Sequence, residues 1–287
     1  MRLQISVSLF FTLLIVSCST DGPENYHWQW KLKSEVPILT KNTDVFEDNG
    51  IGSPHVLIDG YGLNRTFTMV YAQGSKDGPS DNHYGRIGRA TSMDGINWTR
   101  YNYSGVILEP SFNTNNFDSL FLDTPCMIKV ENTYYLYYFG DIDNTIQGGQ
   151  IGLATSTDGI HFTRCGSNPV LSVGESGAWD DLWVESPDVF HDGMKFVMYY
   201  TGGRDTGPPK VGRATSQDGI TWVKDPITPV LAEGGDWDGL SARVPGLVYR
   251  NGITELYYCS QSVTEAMFRL IVPKIGLATS IDGIQFS

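Results

Sequence analysis

Two residues before each of four regularly spaced prolines, Pro54, Pro125, Pro187 and Pro245, stand Gly52, Asp123, Glu185 and Arg243. The frame repeats while the chemistry at this position changes, and that is where a ring of repeats places function. Asp123 and Glu185 supply two carboxyls. Cleaving a glycosidic bond takes one carboxyl to protonate the leaving oxygen and a second to activate water or attack the sugar, about 5 Å or about 6.5–9.5 Å apart according to stereochemistry. Arg243 either holds a carboxylate in its charged form, binds a substrate oxygen, or staples neighbouring units as an ion pair. Asp48 is a third candidate acid and His55 a candidate rim contact. Trp179, Trp183 and Trp237 offer flat apolar faces that either stack on a sugar ring or pack in the core.

Other acids recur too regularly to be catalytic. Glu47, Asp118, Asp180 and Asp238 lie seven residues before the four prolines, the last three each preceded by Phe117, Trp179 or Trp237. An acid kept in every unit reads as a structural device such as a turn cap. Asp94, Asp158, Asp218 and Asp282 belong to a stronger signature, Thr-Ser-x-Asp-Gly-Ile-x-aromatic, at 91–98, 155–162, 215–222 and 279–286. Asp-Gly tolerates the left-handed backbone of a tight turn, and the aromatic re-enters a sheet.

The elements that must position these residues follow from that period of 60 or 64 residues. An Ile-Gly or Val-Gly pair opens the strand before each Asp-Gly turn, the prolines start another, and a Tyr-rich run lies between them. The chain therefore reads as all-β, with three or four antiparallel strands per unit. Units that cannot bury both faces alone stack radially into a β-propeller. The prediction is a propeller of the five-bladed type with four complete repeats, units near 47–108, 118–171, 180–231 and 238–287, in one domain over 28–287. Trp30 stands seven residues before Pro37-Ile38-Leu39, the spacing of Phe162 from Pro169-Val170-Leu171 and of Trp222 from Pro229-Val230-Leu231. Residues 28–46 thus read as the tail of a closing blade, which is either incomplete in a truncated chain or formed by joining the two ends.

Residues 1–18 read as a lipoprotein signal peptide, with Arg2, an apolar run and the lipobox-like Ile15-Val16-Ser17-Cys18; 19–27 is a short tether. Cys18 is the expected lipid attachment point. The expected protein is exported and anchored by lipid to a bacterial membrane, periplasmic or cell-surface, and monomeric. Cys126, Cys165 and Cys259 lack metal or disulfide spacing, and Cys126 and Cys259 read as buried thiols. A net charge of −12 argues against nucleic acid as partner. A neutral carbohydrate fits a pocket of aromatics and carboxylates, and no cofactor or metal is called for.

The stretches Ile151-Gly152-Leu153-Ala154-Thr155-Ser156, Pro169-Val170-Leu171, Glu185-Ser186-Pro187-Asp188-Val189 and Met198-Tyr199-Tyr200-Thr201-Gly202 resemble those of the five-bladed arabinanase, levansucrase and invertase superfamily. Glycoside hydrolase families 43, 32 and 130 belong to it. The resemblance spans 28–287 and implies a glycosidase or phosphorylase, with Glu185 in the place of the family 43 general acid. That family has an Asp directly before the first blade's proline, where this chain has Ser53, so either Asp48 or Asp123 takes the role of the base or the chain departs from the usual family 43 enzyme. Some relatives hold calcium in the central channel, but no dense oxygen-ligand motif stands out here. The Asp-Gly turns are also similar to the Asp-boxes of sialidases. A glycan-binding propeller without turnover, and a propeller serving as a protein scaffold, are the readings outside catalysis.

Overall fold

A computed structural model of the chain describes residues 34, 36–41, 50–60, 64–75, 84–143, 147–205, 207–232, 234–235, 237–239, 241–260 and 274–287. Asp48, Cys18, the leader and Trp30 lie outside the described residues. Four antiparallel meanders form four blades. The first comprises β1 (Gly50–Asp59), β2 (Thr66–Ser75), β3 (Tyr84–Ser92), β4 (Thr99–Arg100) and β5 (Val106–Leu108), the last paired with β3. The second comprises β6 (Phe121–Val130), β7 (Thr133–Asp141), β8 (Gln150–Ser156) and β9 (Thr163–Arg164); the third β10 (Trp183–His191), β11 (Phe196–Gly203), β12 (Lys210–Ser216) and β13 (Val223–Lys224). The fourth has three described strands, β14 (Arg243–Arg250), β15 (Ile253–Ser260) and β16 (Lys274–Ser280). No described helix is long and apolar enough to cross a membrane.

The first strands of the blades line up side by side, β1 against β6, β6 against β10 and β10 against β14, as the inner strands of a propeller do. Both faces of a blade are buried because side chains alternate along each strand. Leu122 and Met127 of β6 pack with Leu57, Val70 and Ile87 of the first blade. Cys126 and Ile128 of the same strand pack with Val184, Val189 and Met198 of the third. A similar layer joins the third and fourth blades through Phe190, Val197, Leu247 and Leu256. Ile38 and Leu39 pack on the opposite face of the first blade, against Met69 and Tyr71.

The repeated turns join blades as well as strands. In each, the aspartate Oδ1 accepts from two backbone N–H groups at 2.7–2.8 Å, as Asp94 does from Ile96 and Asn97. The glycine that follows has φ between 72° and 75°, a left-handed conformation that favours glycine. In the third and fourth blades the carbonyl of that glycine also accepts from a tyrosine of the preceding blade, Tyr137 to Gly219 at 2.8 Å and Tyr199 to Gly283 at 2.7 Å. The signature is frame, as its regularity predicted.

The prolines are placed differently from expectation. They do not start strands; Pro54, Pro125, Pro187 and Pro245 sit inside the inner strands, where the register slips between Gly52 and His55, Asp123 and Cys126, Glu185 and Asp188, and Arg243 and Gly246. Each slip is a β-bulge, and a bulged residue needs no ladder partner, so a proline loses nothing there. The residue between the functional position and the proline takes a left-handed backbone in three blades: Ser53 at φ 47°, Thr124 at 41° and Ser186 at 52°. Such a conformation costs a non-glycine residue about 1–3 kcal/mol. Its recurrence shows what the bulge accomplishes: it bends each inner strand at one level and re-aims the side chain just ahead of it.

Candidate active site at the axial bulges

Gly52, Asp123, Glu185 and Arg243 stand at the same bulge on four adjacent inner strands, so the equivalence read from spacing holds in three dimensions. The bulges of the second and third blades touch, since the Ser186 N–H donates to Thr124 Oγ1 at 3.1 Å. Asp123 and Glu185 are half-buried. The Glu185 carboxyl, unlike its backbone, which pairs with Thr201, makes no ion pair among the described residues. Burial pushes its pKa up to about 7; the Arg243 charge pulls the other way, and Asp123 adds to the rise. Trp183, two residues earlier on β10, holds its ring against the backbone of Gly203, where a Cβ would come within 2.2 Å of it. Its indole N–H is buried, reaches no acceptor in hydrogen-bond geometry among the described residues, and lies near enough to Glu185 to favour the charged form slightly.

Burial also raises the pKa of Asp123, opposed by the Thr124 backbone N–H and the Ser53 side chain. The hydroxyl of Ser53, which occupies the place where the resemblance expects an acid, therefore supports Asp123. At Gly52 an added Cβ would meet nothing within 4 Å, so the first blade leaves open space at this level. Arg243 is exposed and lies farther than 4.0 Å from any described carboxylate.

Other expected contacts lie elsewhere. Trp179 stacks on Tyr200 and donates its Nε1–H to the Ile227 carbonyl at 3.0 Å, and Trp237 tilts against Tyr258. With Phe117 on Tyr138 they form one repeated lock. Each tyrosine hydroxyl donates at 2.9 Å to the acid beside the aromatic, Tyr138 to Asp118, Tyr200 to Asp180 and Tyr258 to Asp238. Arg164 and Lys224 complete the first two locks at 2.7 and 2.6 Å. Trp179 and Trp237 are thus blade packing, and the core reading of these two rings is the one their surroundings support.

His55 is not a rim contact either. It is 1% exposed, one residue past the bulge, with Cys126 and Asp188 at the same place on the next two strands. A directed hydrogen-bond belt runs through them. The Met127 N–H donates to His55 Nδ1 at 3.3 Å, so the ring proton sits on Nε2, facing Cys126 Sγ at 3.5 Å. The thiol faces Asp188 Oδ1 at 3.8 Å, and the Leu247 N–H donates to Asp188 Oδ2 at 2.9 Å. These three groups are close enough together to ligate an ion. They do not fit calcium: one ligand is a thiol and another a histidine nitrogen that already carries the proton, whereas calcium takes oxygens. Sequence reading missed the belt because its members, His, Cys, Asp and Gly246, share a position and no chemistry.

No family model matches the chain. Two curated proteins of Mycobacterium tuberculosis, both described as uncharacterized, are 27% identical over 178 residues, covering 59% of this chain and 55% of theirs. The chain thus spans about half the length of these relatives. Among solved structures, a glycoside hydrolase superposes with a TM-score of 0.64 at 20% identity, over 81% of this chain and 71% of that one. The β-1,2-mannobiose phosphorylase of Listeria innocua gives 0.63 at 16%, over 90% and 65%. The chain has the propeller fold of these enzymes. A family 117 glycoside hydrolase of the marine bacterium Zobellia galactanivorans shares it, with a TM-score of 0.62 at 16% identity over 84% and 70%. The propeller neighbours of this chain are therefore glycoside hydrolases and a phosphorylase.

Proposed function

We propose that this propeller hydrolyses glycosidic bonds, with Glu185 as general acid and Asp123 as base. The observation that carries the reading is Glu185 itself, a carboxyl with no ion pair among the described residues, held near neutral pKa by burial, beside a second carboxyl on the adjacent inner strand. In the reaction, a water oxygen bonds to the anomeric carbon and the bond from that carbon to the leaving oxygen breaks. The Glu185 proton goes to the leaving oxygen, and Asp123 takes a proton from the water. Trp183 supplies the apolar face against which a sugar ring packs.

The test is sugar release from a panel of plant, algal and host glycans by wild type, Glu185→Gln and Asp123→Asn. Release abolished in Glu185→Gln, with fold retained, supports the assignment. Saturable glycan binding without release by any of the three proteins overturns it in favour of a binding module.

We also propose that a fifth blade closes the ring, with 37–39 as its last strand, and that Cys18 carries the lipid of an exported protein. On β16, Ile275 and Leu277 are 55% and 53% exposed, whereas their counterparts Ile151 and Leu153 are fully buried by the next blade. Among the described residues β14 makes no contact with β1. A Leu277→Asp substitution in the full-length protein separates the cases: a large loss of thermal stability is expected under a fifth blade, and an unchanged melting midpoint would oppose one.

A further inference from the structure

Arg243 occupies in the fourth blade the place that holds carboxyls in the second and third, yet it is not their counter-ion. Elsewhere arginines are engaged: Arg164 with Asp118 at 2.7 Å, Arg213 with Asp225 at 3.2 Å, Arg250 with Glu255 at 2.6 Å. The guanidinium of Arg243 has no hydrogen bond or ion pair with any described residue, and its influence on Glu185 acts through space. An interblade staple would show a carboxylate at contact distance, and none stands there among the described residues.

A guanidinium is always charged and presents a planar fork of donors that matches an oxyanion bidentately. Sugar hydroxyls do not neutralise it. Of the neighbouring carboxyls, neither lies within ion-pair distance, and burial keeps the Glu185 proton on up to about pH 7. The result is a positive charge with no ion pair among the described residues, at the level of the catalytic pair, in a chain whose net charge is −12. At the same bulge of the first blade, Gly52 leaves its place open to a ligand.

We propose that Arg243 is the receptor for an oxyanion in the active site, either the carboxylate of an acidic sugar unit or inorganic phosphate. This rests on the glycan-cleaving reading of the site, but its test needs no turnover. The full-length protein is treated with phenylglyoxal, and modification of Arg243 is followed by peptide mass spectrometry in the presence of glucuronate, inorganic phosphate, glucose, or sodium chloride at matched ionic strength. Slowing of about tenfold by an oxyanion over sodium chloride and glucose is expected for a bidentate guanidinium site. Protection by glucuronate assigns the acidic sugar, protection by phosphate assigns a phosphate site, and protection by both supports a general oxyanion receptor. Equal rates in all four conditions overturn the proposal. The same experiment on Glu185→Gln is read identically, so a failure of the assigned general acid leaves it intact. Arg243→Lys, which keeps the charge and loses the fork, is expected to weaken the binding of the protecting oxyanion by about tenfold in calorimetry.

Discussion

A general acid must hold its proton when substrate is bound, and Glu185 with a pKa near 7 sets where that condition fails. Activity is therefore expected to fall as pH rises through about 7. Replacing Asp123 by Asn removes a neighbouring negative charge that raises this pKa, so in any residual activity the alkaline limb moves to lower pH. Removing the charge of Arg243 moves it higher. The pH profiles of kcat/KM for the variants check both signs. The raised pKa also bears on stability: the native state holds this proton more tightly than an unfolded Glu, so its stabilising contribution is present below about pH 4.5 and is lost as pH rises through 7. Glu185→Gln is accordingly expected to melt at a higher temperature than wild type at pH 8, the usual relation between a strained site and its inactive variant. At this scale the sequence was informative in one direction. Asp123, Glu185 and Arg243 stand out because their neighbours repeat while they differ. Trp179 and Trp237 stayed open between two readings because an indole suits a sugar face and a blade interior equally well, and only the tyrosine opposite each ring decides.

At the scale of the element, two devices hold the site level: the bulge and the aromatic lock. The lock leaves no room. At Gly152 an added Cβ would lie 2.5 Å from the Phe117 ring and 2.7 Å from the Tyr138 ring, so Gly152→Ala forces both aside. Overpacking of this kind costs about 1–3 kcal/mol. Tyr138→Phe, by contrast, removes one hydroxyl from Asp118, which keeps its Arg164 partner at 2.7 Å, and is expected to cost only about 1 kcal/mol. Urea unfolding of the two variants tests that order. The Thr-Ser-x-Asp-Gly turns were legible because an Asp side chain that bonds backbone two and three residues on is a local event. The bulges were not. A proline after Ser53, Thr124 or Ser186 reads as a strand start, and the left-handed residue before it is imposed by pairing with the next strand, which no local pattern reveals.

The inner strands are joined at the axis by the belt through His55, Cys126 and Asp188, three residues along each strand from the level of the catalytic pair. Its direction depends on a neutral imidazole: Nδ1 must accept from Met127 while Nε2–H faces the thiol. A second ring proton would point at the Met127 N–H and break the first link. Burial accordingly lowers the His55 pKa to about 4. Because the folded pKa lies below the unfolded value of 6.5, the unfolded chain binds the proton more readily, and stability falls as pH drops from about 6.5 toward 4. The difference amounts to roughly 3 kcal/mol from this one residue, at about 1.4 kcal/mol per unit. A His55→Gln variant, whose side-chain oxygen accepts from Met127 and whose amide N–H points onward, should flatten the stability profile between pH 6.5 and 4 while leaving that near pH 8 less affected. A profile as steep as that of wild type would mean that acid instability arises elsewhere, and that the belt tolerates an imidazolium. The expected flattening would tie the geometry of the acid pair to a histidine that never meets the substrate, since β1, β6, β10 and β14 carry both the belt and the bulges above it.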